Sequence, residues 1–497
     1  MLQGVITRLH YRGILSNTGL IVGLAGCITL VPFLCMPLYP SDWGLWQAFL
    51  VPALSQAAIG FAAWRFFRRS TAPVVRLDLK DAGVIVLLSW IIVCVFSAWP
   101  FQAALGFDFT RALFESVSGW TTTGLSVVDV SKAGPSILLW RSTMQLAGGA
   151  GLAIIMLSAI MGNSLATLSA AEGRTDQLAP HVKRSAKLVL VIYAGYVIIG
   201  VIAYRLAGMS VFDSVNHSFA ALSTGGFSTR AESIGYWDST MVEAVTVALM
   251  ILGNLNFLTD WLLIRGKLIY VARNAEVRLM AILIPLSAGL VLICTTVGLY
   301  PTLAKSIRVA VFETVSALTT TGFSTVSYNN WNGFGIFVMI VLMLVGGGTC
   351  STAGGIKQYR VYTLLKALAW EIRNQFLPRK AVVENFIWSG EEKVFFGDET
   401  VRRIGLFIVL YLVTYLIGVG ILTAYGFSLQ DSLFEYASAI GTVGLSIGVS
   451  TYKAPGAVLW AETLGMFLGR LEFMVALVSL VKVAKDIPVL LPGLRVK

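Results

Sequence analysis

Four short stretches of this chain carry the residues on which its chemistry would turn. FETVSALTTTGFST, residues 312–325, has counterparts in FESVSGWTTTGLS from Phe114, NHSFAALSTGGFST from Asn216 and FEYASAIGTVGLS from Phe434. Aligned on a glycine followed by an apolar residue and a serine, they place Gly124, Gly226, Gly322 and Gly444 in one column. Before these glycines stand Thr122 and Thr123, Thr224 and Gly225, Thr320 and Thr321, and Thr442 and Val443. Similar copies at wide intervals mark an internal repeat. A Thr-x-Gly segment in extended form can turn a row of backbone carbonyls toward an axis, because glycine tolerates angles that other residues resist. Such rows around one axis form a ring of oxygens that can replace the hydration shell of a monovalent cation.

Each copy needs a short helix before it. If that helix points its C-terminus at the ring, its partial negative end also favours a cation there. A single copy reads as readily as small residues that let membrane helices pack closely; four aligned copies do not.

The elements that must position these segments follow from composition. The chain has 497 residues, 56% of them hydrophobic and 13% charged, with a mean hydropathy of +0.78. Apolar runs near membrane-spanning length recur from end to end, so the sequence predicts an all-α polytopic membrane protein. A net charge of +11 does not indicate nucleic acid here, because the basic residues fall in the loops of one side, as topology requires. Cys27, Cys35, Cys94, Cys294 and Cys350 lie in or beside apolar runs without a CxxC pair, and His10, His181 and His217 are scattered. Neither a disulfide framework nor a zinc or catalytic histidine site is expected. A membrane enzyme would need a nucleophile with a base or a metal set, and His217 has no evident partner of that kind.

The expected organisation is four membrane-pore-membrane repeats around one pore plus an N-terminal two-helix hairpin, about ten spans in all. Residues 1–75 form the hairpin, with spans at 14–36 and 45–67. Residues 24–27 resemble a lipoprotein cleavage box, but the apolar run continues beyond Cys27, which suits a retained helix. Pore repeats occupy 76–170, 171–270, 271–365 and 402–497, with a connection at 366–401 too short and polar to fold alone but long enough to dock a partner. Basic residues such as Arg65, Arg68, Arg174, Lys183, Arg265 and Lys267 put both termini in the cytoplasm. Continuous inner helices are expected at 137–161, 242–264 and 458–483. Glu115, His217, Glu313 and Glu435 precede the column glycines by nine positions, about 13 Å along a helix, and are read as steadying the N-termini of the short helices, with direct ion binding as the alternative.

Two features fall beneath the ring. In the third repeat the inner helix breaks at Gly346, Gly347, Gly348, Thr349, Cys350, Ser351, Thr352, Ala353, Gly354 and Gly355, where a membrane helix should continue. Irregular backbone at membrane depth is tolerated only where it is buried or lines a water-filled cavity, so this run is a candidate gate, with a plain packing kink as the alternative. A phosphate loop fails, because Lys357 follows Ile356 and no serine or threonine comes next. Arg470 is a charge at depth that can sit beside that loop or pair with Glu472 or another carboxylate.

With GGGTCSTAGGIK in the third inner segment and MFLGRLE around Arg470, nearly the whole chain resembles the TrkH, TrkG and KtrB family of potassium uptake subunits, related to the HKT and Trk transporters of plants and fungi. The hairpin and length are more like TrkH than the shorter KtrB. The resemblance implies one K⁺ pathway in the cytoplasmic membrane. It gives filter roles to Thr122, Thr123, Gly124, Thr224, Gly225, Gly226, Thr320, Thr321, Gly322, Thr442, Val443 and Gly444, and gate roles to residues 346–355 and Arg470. It also implies a homodimer on a cytoplasmic nucleotide-binding ring of the TrkA or KtrA type. Transported K⁺ is then the only cofactor, and nucleotide sensing belongs to the partner. Glycine at position 124, often serine in Na⁺-admitting relatives, points to K⁺. One Thr-x-Gly layer, broken by Gly225 and Val443, predicts weaker discrimination than the longer filter of K⁺ channels. The alternative is an ion-coupled secondary transporter using H⁺ or Na⁺, a class built on inverted repeats with sites at the membrane midplane.

Overall fold

A computed structural model describes residues 2–68, 78–151, 182–378 and 384–490. It is an all-α polytopic membrane protein. Among the described residues, six helices are long and apolar enough to cross a membrane: Ile6–Leu34, Pro40–Phe67, Lys80–Leu105, Leu188–Leu206, Ala275–Thr296 and Asp398–Ala424. Two bent pairs, Thr240–Asn254 with Phe257–Ile264 and Gly456–Arg470 with Phe473–Leu490, raise the count to eight. The first and third inner segments are shorter helices, Pro135–Gly149 and Gly333–Val345. The continuation to 161 expected for the first, and the basic stretch around Arg174 and His181, lie outside the described residues.

The N-terminal hairpin is held by close backbone contact. A Cβ at Gly60 would overlap the Gly19 carbonyl and the Gly23 amide, the small-residue packing that brings membrane helices together where lipid supplies no hydrophobic drive. Its first helix runs Leu2–Ile28, so Arg8, His10 and Arg12 sit within it. His10 pairs at 2.6 Å with the buried Asp81 of the first outer helix, Leu79–Ser97.

Four short pore helices follow the outer helices: Phe109–Trp120, Val211–Leu222, Leu303–Leu318 and Leu429–Ile440. Their N-termini are capped by Asp108, Ser210, Thr302 and Ser428, each side chain accepting from the amide three residues on. These caps, not Glu115, His217, Glu313 and Glu435, satisfy the helix starts. The expectation for those four side chains is therefore corrected: they stand well inside their helices and are fully buried.

The sequence predicts a break in the third inner helix alone, whereas the second and fourth are also broken, by turns of 117° and 101°. In the second, Asn256 leaves the helix and caps the next one by accepting from the Leu258 amide at 2.8 Å. In the fourth, Glu472 takes a left-handed φ of 60° immediately after Arg470 and Leu471. The connection to the fourth repeat is also more ordered than its polarity suggests. Gln358–Asn374 is helical, and Phe386–Ser389 pairs antiparallel with Glu392–Phe395. Ile387 and Phe396 are buried against Ala275, which docks this hairpin on the third outer helix.

Candidate ion pathway

The four Thr-x-Gly segments meet at the ends of the pore helices. Thr122, Thr224, Thr320 and Thr442 all adopt left-handed φ, between 49° and 57°, which is costly for a β-branched residue. The glycines two positions on have φ of 94°, 71°, 81° and 98°. The amides of Thr123, Gly225, Thr321 and Val443 donate back to their own pore helices at 2.8–3.0 Å. Their carbonyls are thereby left on the side where the repeats meet. A Cβ at Gly124 would overlap the Gly225 carbonyl, one at Gly226 that of Thr321, one at Gly322 that of Val443, and one at Gly444 that of Thr123. The segments thus close a ring in the order one, two, three, four, one. Only glycine allows each neighbour's carbonyl so near.

Behind the ring, the buried polar column fastens the segment leaving each glycine to its pore helix. Glu115 accepts from the Ser126 hydroxyl at 2.9 Å and the Val127 amide at 3.0 Å. Glu313 accepts from the amide and hydroxyl of Thr325, both at 2.8 Å, and from the Tyr328 hydroxyl. Glu435 accepts from Ser446 at 2.7 Å and from the amides of Ile447 and Ser450 at 2.9 Å. In the second repeat His217 does the same work, donating through Nδ1 to the Asp213 carbonyl and meeting the Ser228 hydroxyl through Nε2 at 2.9 Å.

Two inner-helix residues that the sequence reading passed over complete this layer. Arg141 donates to Glu115 at 2.7 Å, to Ser126 at 2.8 Å and, across the repeat boundary, to the Ser228 carbonyl at 3.1 Å. Gln145 donates to the Gly225 carbonyl and accepts from the Phe227 amide at 3.1 Å. The signal for Arg141 was available, as a charge in an apolar helix. Arg141→Ala would strand the Glu115 charge, and removal of one partner from a buried pair costs about 3–5 kcal/mol. The expected result is a large fall in thermal stability in detergent, recovered in part when Glu115→Gln is added.

Outside the ring, the four glycines open into a cavity of about 730 Å³ that also includes Asp129 and Glu232 in its wall. The Ser131 hydroxyl and then Lys132 hold the Asp129 carboxyl down to about 2, and the wall sets Arg141 and Arg230 against these two acids.

Beneath the ring, the loop 346–355 closes on itself through Gly347 N–H to the Gly354 carbonyl, 3.1 Å. It touches the left-handed threonines of three repeats. The Thr224 hydroxyl donates to Thr352 Oγ1 at 3.1 Å, the Gly354 amide donates to Thr320 Oγ1 at 2.7 Å, and a Cβ at Gly354 would overlap the Thr442 hydroxyl. Asn254 Oδ1 accepts from the Gly348 amide at 3.1 Å. Glu276 accepts from the Thr349 amide at 2.6 Å and hydroxyl at 2.7 Å. Arg470 spans the gap, donating to the Thr352 carbonyl at 2.6 Å and the Gly148 carbonyl at 2.7 Å. Arg470 thus contacts the loop, and Glu472 pairs with Arg360 at 2.6 Å.

Residues 54–486 match the TrkH family model, described as a cation transport protein. An uncharacterised cation transporter of Methanocaldococcus jannaschii is 31% identical over 95% of this chain and 96% of its own length. The Trk system potassium uptake protein TrkH of Halomonas elongata is 30% identical, covering 94% of this chain and 98% of its own. The crystal structure of the potassium transporter TrkH from Vibrio parahaemolyticus superposes with a TM-score of 0.80 at 26% identity, over 94% of this chain and 98% of that one. The chain belongs to the TrkH family of cation transport proteins.

Proposed function

We propose that this chain moves K⁺ into the cell through the ring of Thr-x-Gly segments, past a gate formed by residues 346–355 and Arg470. The observation that carries this reading is the closed order of the ring, with each column glycine set against the next repeat's carbonyl and the broken loop directly underneath. That the Halomonas relative is a potassium uptake protein and the Vibrio relative a potassium transporter supports potassium as the ion. The membrane potential supplies about 2.3 kcal/mol per charge per 100 mV, which drives a cation inward without an ATPase in this chain. In the cytoplasmic membrane, with both termini inside, the docked hairpin at 386–395 and its helix offer a cytoplasmic face. A homodimer standing on a TrkA- or KtrA-type nucleotide-binding ring fits that face. The division into a hairpin, four pore repeats and a connection at 366–401 belongs to the same proposal.

The test is uptake of labelled Rb⁺ into proteoliposomes holding the full chain, driven by an imposed potential, with Na⁺ as competitor. Uptake that follows voltage, resists Na⁺ and is indifferent to a collapsed pH gradient is expected. Uptake that instead needs a H⁺ or Na⁺ gradient would make the protein a coupled transporter.

A further inference from the structure

Between the loop and the break in the fourth inner helix lies a cavity of about 30 Å³, its wall including Thr349, Ser351, Gly354, Lys357, Arg470 and Glu472. That is room for roughly two water molecules or one small cation. Three non-glycine wall residues hold strained backbone: Cys350 with φ of 51°, Glu472 with φ of 60° and Lys357 with φ of 87°. Glu472 pairs with Arg360 at 2.6 Å.

Lys357 is the more telling case. Its ψ of 132° takes it outside the left-handed helical basin, and such conformations persist only where the surroundings over-determine them. Here its amide donates to the Val345 carbonyl at 3.0 Å and the next amide to that of Gly347 at 2.8 Å. The chain is thus pinned on both sides, and the side chain turns back beneath the loop. The ammonium donates to the carbonyl of Ala353, next in sequence to the Thr352 carbonyl that Arg470 holds at 2.6 Å. Two consecutive carbonyls of one loop are each capped by a side-chain cation. Backbone carbonyls are the ligands that replace the hydration shell of K⁺, and an ammonium matches K⁺ in charge and nearly in size.

We propose that Lys357 is a tethered cation, its ammonium occupying a K⁺ position at the cytoplasmic end of the pathway in the closed state, in series with Arg470. Opening withdraws the ammonium from the Ala353 carbonyl and gives that oxygen to the passing ion. The proposal rests on reading residues 346–355 as a gate.

The experiment measures Rb⁺ flux into proteoliposomes of the full chain without any cytoplasmic partner, for Lys357→Met, Lys357→Arg, Lys357→Ala and Arg470→Ala. Lys357→Met is expected to raise flux about tenfold, the size of one charge-assisted hydrogen bond, while Lys357→Arg holds it low. In Lys357→Ala, n-propylammonium should restore low flux, whereas tetramethylammonium, which has the charge but no N–H, should not. A Lys357→Met flux no higher than wild type beside a raised Arg470→Ala flux overturns the role of Lys357 and leaves the gate standing. So does a Lys357→Arg flux as high as that of Lys357→Met, which would mean the side chain only props the loop. If neither Lys357→Met nor Arg470→Ala raises flux in protein that elutes as a folded species, the gate reading itself fails. Should Lys357→Met not fold, Lys357→Gln carries the same comparison.

Discussion

Arg470→Ala is expected to raise Rb⁺ flux through the isolated chain by one to two orders of magnitude. The guanidinium holds the Thr352 carbonyl at 2.6 Å and the Gly148 carbonyl at 2.7 Å, tying the loop of the third repeat to the inner helix of the first. Hydrogen bonds from a charged donor contribute about 1.5–3 kcal/mol each, and about 1.4 kcal/mol is a factor of ten in an equilibrium. Loss of these bonds and of a fixed positive charge under the ring favours the open state and lowers the barrier to a cation. Arg470→Lys retains the charge but cannot span both carbonyls, because one ammonium lacks the planar fork; it should fall between wild type and alanine. Shortening the loop within 348–354 should act in the same direction. Flux that stays at the wild-type level in a well-folded Arg470→Ala protein would remove the arginine from the gate, and flux that stays there in the shortened-loop protein as well would remove the loop.

The parts of this site that could be read from sequence are those fixed by local chemistry. The column of Gly124, Gly226, Gly322 and Gly444 is legible because only glycine tolerates the approach of a neighbouring carbonyl. The run 346–355 is legible because ten small residues cannot continue a membrane helix. What escaped depends on tertiary partners. Glu115, Glu313 and Glu435 carry no local sign that they face the amides of Val127, Thr325 and Ile447. That pairing exists only once the segment beyond each glycine folds back along its pore helix. The break after Arg470 is silent for the same reason: it has no proline or glycine at the turn, and the left-handed Glu472 is sustained by Arg360, more than one hundred residues away. The break at Asn254 left a partial trace, since Asn256 is a good helix cap, but an asparagine in an apolar stretch does not by itself outweigh the continuous hydropathy around it.

Gly322→Ser should lower the preference for K⁺ over Na⁺ by about tenfold, equivalent to about 1.4 kcal/mol, with Gly444→Ser acting alike. At Gly322 the new Cβ would overlap the Val443 carbonyl, and at Gly444 that of Thr123. These are backbone atoms pinned by their own amides to the pore helices, through Val443 to Ser438 at 2.8 Å and Thr123 to Ser118 at 2.9 Å. Neither can retreat without moving its half of the ring, so the oxygens lose the spacing that serves the larger ion and the smaller one gains relative access. A left-handed backbone also strains any residue with a Cβ, by roughly 1–2 kcal/mol, and that cost must be separated from the change at the ring. Gly426 supplies the control. It has φ of 94°, yet a Cβ there would meet nothing within 4 Å. Gly426→Ser should therefore cost comparable stability and leave Rb⁺ uptake as resistant to Na⁺ competition as the wild type. If Gly322→Ser and Gly426→Ser keep the same resistance to Na⁺, the ring does not select the ion, and selectivity must be sought in the outer cavity or at the loop beneath.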